Sequence, residues 1–404
     1  MIGGILQIVL KSSPFQRKYM NIKKTLLSYS VFFLTLVITF GAGFWAHSQL
    51  YPTSAHFPVL SEAYQLILDH GYKDPPPVPQ MEYGAIQGMV QAYGEPHTYF
   101  IEPAQAELRN DTLEGSYGGI GAQMSRDAEG YIVLHPFADS PASQAGLLDG
   151  DRLLKVDDLK ITPETSTEET IAAVRGPEGK TVTLLIARPP DYTEMEFKVK
   201  RANIPLPSVT WNLDTLDNQI GIVHVNVIAA STPAEIQGAV SDLQERGALN
   251  FILDLRGNGG GLLVEGVDIA RLFLSDGLVI QQQYKGEDVK TYEVEKPGPL
   301  NQIPLVILVD GNTASAAEII AGSLQMQQRA PLIGTSTYGK DSVQLVFELQ
   351  DKSSLNVTSA KWWVPGLEPP VGEGGLQPNI TVSTENASED DPFMDAARLY
   401  FTEK

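Results

Sequence analysis

Two hydroxyl residues, Thr313 and Ser315, follow the apolar run "PLVILV" and precede a segment with helical spacing. A serine at such a strand-to-helix turn lies at the carboxyl edge of a sheet, beside the free N–H groups of the helix start. Those N–H groups can stabilise the oxyanion that forms when the hydroxyl attacks an acyl carbon. The alternative is that Thr313 or Ser315 only caps the helix, because both residue types are favoured there.

A serine nucleophile needs a base, and histidine is poorly supplied. Only His224 lies in the same part of the chain as Ser315, and its mid-strand position favours a structural role. Lys340 is the other candidate, in a glycine-containing loop after the strand "PLIG". Burial can lower the pKa of a lysine from about 10.4 to roughly 7–8, where it accepts protons at neutral pH. Gln344 is placed to orient the amine, but an ordinary surface lysine is the alternative.

The glycine run "DLRGNGGG", residues 254–261, ends the strand "NFILDL" and precedes another helical segment. Glycines allow positive φ and close backbone approach, which suits amides aimed at a substrate oxygen. A tight turn without chemistry explains the run equally well. It is not a P-loop, because no G-K-[ST] follows.

Strands and helices alternate from about residue 203, which predicts an α/β core with a largely parallel sheet covered by helices. The predicted strands include "IGIVHVNVI", "NFILDL", "LVIQQQY" and "PLVILV". Residues 57–104 have helical spacing, and we expect packing helices without chemistry there. We place domain boundaries at 1–47, 48–111, 112–200 and 201–404.

Residues 112–200 contain short β segments separated by turn signals. "SPASQAGLLDGD" predicts a short helix with Ser140 as N-cap, Pro141 at the first position and Gly146 at the stop. A small unit of strands and two helices that opens with the glycine-rich "GGIG" is a candidate peptide-binding module.

The charge distribution argues against nucleic acid as a partner. The chain of 404 residues has a net charge of −20, and residues 1–47 hold five basic residues and no acidic one, which leaves −25 on the rest. Phosphate backbones would repel so acidic a body. The absence of cysteine excludes disulfides, thiolate metal sites and cysteine nucleophiles, and no H-E-x-x-H or carboxylate cluster predicts a metal or cofactor.

Residues 26–46 contain no charged side chain. Twenty-one residues at about 1.5 Å each can cross a hydrocarbon core of about 30 Å. Because the basic residues precede this run, we expect a membrane anchor with the acidic body outside the cytoplasm. A cleaved signal peptide followed by secretion is the alternative, and Met20 is an alternative start.

Together these motifs resemble the carboxy-terminal processing peptidases, serine proteases with a PDZ domain and a Ser–Lys centre. The likeness spans about residues 57–385 and rests on the segments "GAIQGMVQAYGEPHTYF", "GGIGAQM", "LDLRGNGGGLL" and "GNTASAAEIIAGSLQ…GTSTYGKDSVQ". Departures from the usual pattern are Ala317 for a serine, Tyr338 for a phenylalanine and Asp341 for a glycine, and none removes a catalytic group.

The resemblance implies a mixed, largely parallel α/β core similar to the ClpP/crotonase-like layout, an inserted β-rich PDZ domain and an N-terminal helical segment. It implies Ser315 as nucleophile, Lys340 as base and Gln344 as the residue that orients the lysine. The N–H groups of Gly261 and Ala316 would form the oxyanion hole. The PDZ loop would bind the carboxylate of a protein tail through Gly118, Gly119, Ile120 and Gly121.

Two rival functions use the same elements. One is a catalytically silent PDZ scaffold that binds peptides, which the intact Ser315, Lys340 and Gln344 argue against. The other is an acyl-transferring or hydratase-like enzyme for small thioesters, for which a peptide-binding module would be superfluous. The sequence leaves homo-oligomerisation open.

Overall fold

The computed structural model describes residues 33–41, 57–383 and 391–403. Within these ranges the helices are 33–41 (α1), Pro58–His70 (α2), Val78–Tyr93 (α3), Pro103–Glu114 (α4), Pro141–Gln144 (α5), Thr167–Val174 (α6), Thr232–Glu245 (α7), Leu263–Phe273 (α8), Ala316–Met326 (α9) and Pro392–Thr402 (α10).

The strands in the same ranges are Tyr99–Ile101 (β1), Ser116–Gly119 (β2), Ala122–Arg126 (β3), Ile132–Pro136 (β4), Asp151–Val156 (β5), Leu159–Lys160 (β6), Thr181–Arg188 (β7), Thr193–Lys200 (β8), Ala202–Pro205 (β9), Val209–Leu213 (β10), Ile220–Val225 (β11), Asn250–Asp254 (β12), Leu278–Tyr284 (β13), Lys290–Glu293 (β14), Leu305–Val309 (β15), Leu332–Gly334 (β16), Ser342–Glu348 (β17), Ser354–Trp363 (β18) and Ile380–Thr381 (β19).

The chain divides into two compact units, Met1–Gln80 and Met81–Lys404. In the first unit, α1 covers only part of the uncharged run 26–46, and the remainder of that predicted anchor lies outside the described residues. No helix in the described ranges combines the length and apolar character needed to cross a membrane.

A six-stranded sheet forms the centre of the second unit, in the order β10-β11-β12-β15-β16-β19. All neighbours pair in parallel except β10 with β11. Every residue of β15 is buried, as expected of a parallel strand that is covered on both faces. The predicted parallel, helix-covered core is therefore confirmed for "IGIVHVNVI", "NFILDL" and "PLVILV".

The strand "LVIQQQY" was expected in the parallel sheet, and that prediction is wrong. It forms β13 in a second, antiparallel sheet of order β1-β18-β13-β14, with β17 paired to β18. The three glutamines explain the difference, because a parallel strand covered on both faces reads as a continuous apolar run. In the antiparallel sheet Gln282 accepts a hydrogen bond from the Tyr292 hydroxyl at 2.8 Å.

Helices α8 and α9 contribute to a core that joins the two sheets. That core contains buried side chains from both, among them Ile307 of β15 and Ile280 and Trp362 of the antiparallel sheet. On the other face of the six-stranded sheet, Met394 and Ala397 of α10 pack on residues such as Val306. The turn before α9 therefore follows β15 of the six-stranded sheet and faces the antiparallel sheet. This arrangement positions the site described below.

A separate sheet of order β3-β4-β5-β7-β8 occupies residues 122–200, with β3 at its edge and its own buried cluster. The predicted cap of α5 is confirmed, since Ser140 Oγ accepts the N–H of Ser143 at 3.1 Å.

Residues 57–104 are not helical throughout, because β1 pairs with β18 of the antiparallel sheet. Gly94 at φ 75° ends the helical run, and the aromatic "YF" that follows favours a strand.

Candidate active site

Ser315 directly precedes α9 and has φ 56° and ψ −120°, a backbone conformation that non-glycine residues rarely adopt. Holding a residue there costs about 1–3 kcal/mol, so the surrounding contacts must fix it. The side chain is only partly buried, whereas its neighbours Ala314 and Ala316 are buried. The turn thus presents one hydroxyl at the surface of a rigid element.

Thr313, the other candidate hydroxyl, is fully buried. Its Oγ1 donates to the carbonyl of Leu255 at 2.9 Å and accepts the N–H of Asp310 at 3.0 Å. These bonds tie the nucleophile turn to the end of β12. Thr313 therefore has a structural role, and Ser315 is the nucleophile candidate.

The glycine run lies directly against Ser315. A Cβ on Gly260 would lie 2.9 Å from Ser315 Cβ and 2.8 Å from the carbonyl oxygen of Ala314. A Cβ on Gly261 would lie 2.0 Å from the carbonyl oxygen of Ile228. Only glycine fits at either position, and the close approach explains the run better than a turn alone.

Beside Ser315 lie the backbone N–H groups of Gly261 and Ala316, the predicted oxyanion donors. In the part of the chain that the structure describes, neither the N–H of Gly261 nor that of Ala316 donates a hydrogen bond. The loop is fixed by other bonds: Ala314 N–H donates to the carbonyl of Asn258 at 2.9 Å, and Gly260 N–H donates to Asn258 Oδ1 at 2.8 Å. Both predicted oxyanion donors are thus unpaired next to the nucleophile turn.

Glu318 connects the serine turn to the lysine loop, and the sequence reasoning did not identify it. The side chain is fully buried, and its Oε2 accepts the N–H of Ser315 at 2.8 Å and that of Lys340 at 2.9 Å. Its Oε1 accepts the Thr337 hydroxyl at 2.5 Å and the N–H of Gly339 at 2.7 Å. Burial raises the pKa of the Glu318 carboxyl, and the four donors oppose that shift. The sequence signal for Glu318 is its place at the third helical position after Ser315, where a glutamate commonly takes part in capping the helix.

Lys340 lies two residues before β17, with a partly buried side chain. Burial lowers the pKa of its amine, and the positive charge of Arg109 lowers it further, while Glu95 and Glu318 act in the opposite direction. A lowered pKa increases the neutral fraction that can accept a proton.

The side chains of the predicted triad are not joined in this structure. Among the described residues, the Lys340 amine makes no hydrogen bond to Ser315 Oγ or to Gln344. The Gln344 amide instead donates to Ser342 Oγ at 3.0 Å and to Thr358 Oγ1 at 3.1 Å. The structure brings the backbones of Ser315 and Lys340 together through Glu318. Gln344 of β17 lines the same cavity as Ser315, and the lining of that cavity does not include Lys340.

A cavity of about 140 Å³ opens on Ser315. Its lining includes Gly261, Gln344 and, from α4, Arg109 and Leu113. Arg109 and Leu113 lie beyond residues 57–104, for which we expect only packing, and within that range Glu95 is the residue that affects the site. Glu95 raises the pKa of Lys340, and α4, which follows in the chain, lines the cavity. Sequence periodicity gave no signal for this, because the contacts depend on the tertiary position of α4.

His224 pairs with a carboxylate rather than with the serine. Its Nδ1 lies 3.4 Å from Asp254 Oδ2, and the bond to Asp254 raises the pKa of His224. Asp254 also binds Arg256 at 2.7 Å, and Arg256 reaches Asp391 at the start of α10. The structural role expected of His224 agrees with this network.

A second candidate site lies on the sheet of residues 122–200. A cavity of about 230 Å³ between β3 and α6 is lined mainly by apolar side chains, among them Ile120, Met124 and Val174, with Gln123 and Arg175 also in its lining. Of the predicted carboxylate loop, Gly118 and Gly119 belong to β2 and pair with β9. The N–H groups of Ile120 and Gly121 donate no hydrogen bond among the described residues and border the free edge of β3.

Two segments of the chain match known protein families. Residues 219–382 match the model of peptidase family S41, and residues 137–188 match that of the PDZ domain. The carboxy-terminal processing protease CtpA of Bacillus subtilis is 31% identical over 91% of this chain and 77% of its own length. The carboxyl-terminal-processing protease of Picosynechococcus sp. is 35% identical over 75% and 73%. This chain belongs to peptidase family S41.

Among solved structures, the photosystem II D1 C-terminal processing protease matches with a TM-score of 0.44 and 26% identity, over 81% of this chain and 88% of that one. The S41 match contains Ser315, Lys340 and Glu318, and the PDZ match begins after the loop of Gly118–Gly121. The family matches and the relatives of 31% and 35% identity make this S41 peptidase a serine-type protease with a PDZ domain, of the carboxy-terminal processing kind.

Proposed function

We propose that this S41 peptidase is an endopeptidase that cleaves protein substrates near their carboxyl termini with a Ser315–Lys340 dyad. The observation that carries the proposal is the buried Glu318 carboxylate, which holds the N–H groups of both residues on one oxygen. The lowered pKa of Lys340 supports its role as base.

In the proposed mechanism the neutral Lys340 amine accepts the Ser315 proton as Oγ attacks the scissile carbonyl carbon. The N–H groups of Gly261 and Ala316 stabilise the oxyanion. As it collapses, the C–N bond breaks, the Lys340 ammonium donates its proton to the leaving amine, and an acyl-enzyme with a neutral lysine remains. Water, activated by the same amine, then releases the acyl product. For its predicted role of orienting the lysine, the Gln344 amide would exchange its hydrogen bonds to Ser342 and Thr358 for one to the Lys340 amine.

Tail recognition is proposed for the PDZ domain. The free N–H groups of Ile120 and Gly121 would bind the terminal carboxylate, and the tail would add as a strand to the open edge of β3. The apolar cavity beside β3 would hold side chains of the tail. No cofactor is required by this mechanism.

Two further expectations stay proposals. The ClpP/crotonase-like layout of the core rests on the resemblance of the sequence motifs. Anchoring in a membrane with the body outside the cytoplasm rests on the uncharged run 26–46 and the basic residues before it. Recovery of the intact chain in the soluble fraction would contradict anchoring.

Matched peptides with free and amidated carboxyl termini test the proposed function on the full chain. Amidation should lower kcat/KM by about 10- to 100-fold, because a neutral amide answers charge-assisted hydrogen bonds only weakly. Equal cleavage of both peptides would contradict tail recognition and leave the dyad intact. Cleavage of neither, with hydrolysis of an acyl-thioester control, would contradict the endopeptidase assignment.

A further inference from the structure

Three polar residues on the PDZ sheet form a continuous hydrogen-bond chain. Ser125 Oγ lies 2.7 Å from His135 Nε2, and His135 Nδ1 lies 2.6 Å from Asp149 Oδ1. Ser125 is exposed on β3, His135 is partly exposed on β4, and the Asp149 side chain is 82% exposed. The mechanism at Ser315 uses none of the three.

The register of the sheet places this chain beside the proposed tail-binding edge. Gln123 pairs with His135 and Ser125 with Val133, so these residues share one face of the sheet. Ala122 and Met124 face the opposite way and line the apolar cavity.

A tail that binds as proposed above has a fixed direction along the edge of β3. The direction rests on that proposed tail recognition. Its carboxylate lies at the loop that precedes β3, so the tail runs antiparallel to β3. Side chains directly opposite each other in such a pair share a face. The terminal residue then faces the cavity opposite Ala122, the second residue before it faces the cavity opposite Met124, and the third residue before it lies opposite Ser125.

The chemistry of the hydrogen-bond chain favours donors at that third position. An ionised carboxylate can only accept hydrogen bonds, so the His135 Nδ1 that binds Asp149 carries a proton. In the neutral imidazole Nε2 then accepts a hydrogen bond from the Ser125 hydroxyl. Ser125 Oγ then offers its lone pairs to the tail, and Asp149 adds a negative charge on the same side.

Nearby arginines are already engaged. Arg152 binds Asp127 at 2.5 Å and Glu129 at 2.8 Å. Arg126 donates to the carbonyls of residues 130, 163 and 165. These contacts leave the negative charge of Asp149 available to a cation on the tail.

We propose that Ser125, His135 and Asp149 form a subsite for the third residue before the tail's terminal residue, and that this subsite selects lysine or arginine over glutamate. The selection acts through hydrogen bonding to Ser125 Oγ and the charge of Asp149. It adds side-chain specificity to a binding mode whose main-chain contacts are independent of sequence.

The test measures binding of fluorescent peptides, at one fixed pH, to the full chain carrying Ser315→Ala, which should not cleave them. The peptides are identical except for lysine, glutamine or glutamate at the third position before the end. We expect the lysine tail to bind about threefold to fivefold more tightly than the glutamate tail, the size of an exposed charge contact. Asp149→Asn and Ser125→Ala should each reduce the ratio below about twofold.

Glu196→Gln is the matched control, since Glu196 is an exposed carboxylate on β8, the opposite edge of the same sheet. It should leave the lysine-to-glutamate ratio unchanged. Equal binding of the three tails, or a ratio that survives both subsite variants, would overturn the subsite. An amidated lysine tail separates the two hypotheses. If amidation leaves the binding affinity unchanged, tail recognition itself fails. If amidation weakens binding while the lysine-to-glutamate ratio is one, only the subsite fails.

Discussion

The Glu318 carboxylate accepts the backbone N–H of Lys340 at 2.9 Å, through the same oxygen that accepts the N–H of Ser315 at 2.8 Å. One buried side chain therefore fixes the distance between the start of α9 and the loop that enters β17. It also helps to hold Ser315 at its positive φ. Lys340, the proposed base, is thus positioned through the backbone of its loop.

Glu318→Gln should damage catalysis more than stability. The amide keeps one acceptor oxygen but turns an NH₂ group toward backbone donors, which leaves about one or two buried donors unpaired. We expect the free energy of unfolding to fall by about 1–3 kcal/mol, and kcat to fall by about 100-fold as the dyad loses its spacing. Denaturant unfolding and peptide cleavage measure the two effects.

Glu235→Gln is the control for that variant. Glu235 Oε2 accepts the N–H groups of Ser208 and Val209 at 2.8 and 3.0 Å, a similar clamp at the start of α7. It should cost comparable stability and leave kcat within about twofold. If both variants changed kcat equally, Glu318 would have no specific link to the dyad.

Ser315→Ala should lower kcat by at least about 10⁴-fold, since only the nucleophilic oxygen is removed. Ser315 is also the N-cap of α9, so the free energy of unfolding should fall by about 0.5–2 kcal/mol, too little to unfold the chain. Ser336→Ala, at an exposed serine of the neighbouring loop, is the control and should retain activity. Turnover by folded Ser315→Ala would exclude this serine as nucleophile.

Activity should fall as pH decreases through the lowered pKa of Lys340. The base is the neutral amine, and protonation below that pKa removes it. Lys340→Arg keeps the charge and much of the reach but cannot deprotonate in this range, so it should be inactive at every pH. A profile of kcat/KM that stays flat to about pH 5 would contradict lysine as the base.

Two neighbours of Lys340 should shift the low-pH side of the pH–activity profile, its acid limb, in opposite directions. Arg109 lowers the pKa of Lys340, so Arg109→Gln should shift the limb to higher pH. Glu95 raises the pKa, so Glu95→Gln should shift the limb to lower pH. Both shifts should shrink in high salt. Shifts of the same sign would mean that the limb reports another group.

The sequence predicted the strand–turn–helix around Ser315, the parallel core and the cap of α5, because each depends on local pattern and residue type. It failed for β13, whose partner β18 lies about eighty residues further along the chain. The three glutamines of β13 argue against a parallel strand covered on both faces, but the choice of β18 as its partner depends on tertiary packing, which a local pattern does not encode.

The same limit applies to the site. Ser315 and Lys340 could be named from motifs, whereas Arg109 contributes through the tertiary position of α4. Glu318 had the spacing of a capping glutamate, but its reach to Lys340 depends on how the two sheets meet. Local sequence thus names candidate reacting groups more readily than the residues that would position them.

Gly260→Ala should separate catalysis from folding at the glycine run. At φ 99°, the added Cβ would lie 2.8 Å from the Ala314 carbonyl oxygen and 2.9 Å from Ser315 Cβ, so the nucleophile turn must shift. A displacement of about 1 Å should lower kcat by about 100-fold. Gly257→Ala is the control, because Gly257 also has positive φ, 71°, but an added Cβ meets nothing within 4 Å. Both variants carry the strain of a left-handed alanine, about 1–2 kcal/mol, and only the first should lose kcat beyond its loss of stability. Equal kcat in the two variants would show that the contact between the glycine run and Ser315 does not position the nucleophile.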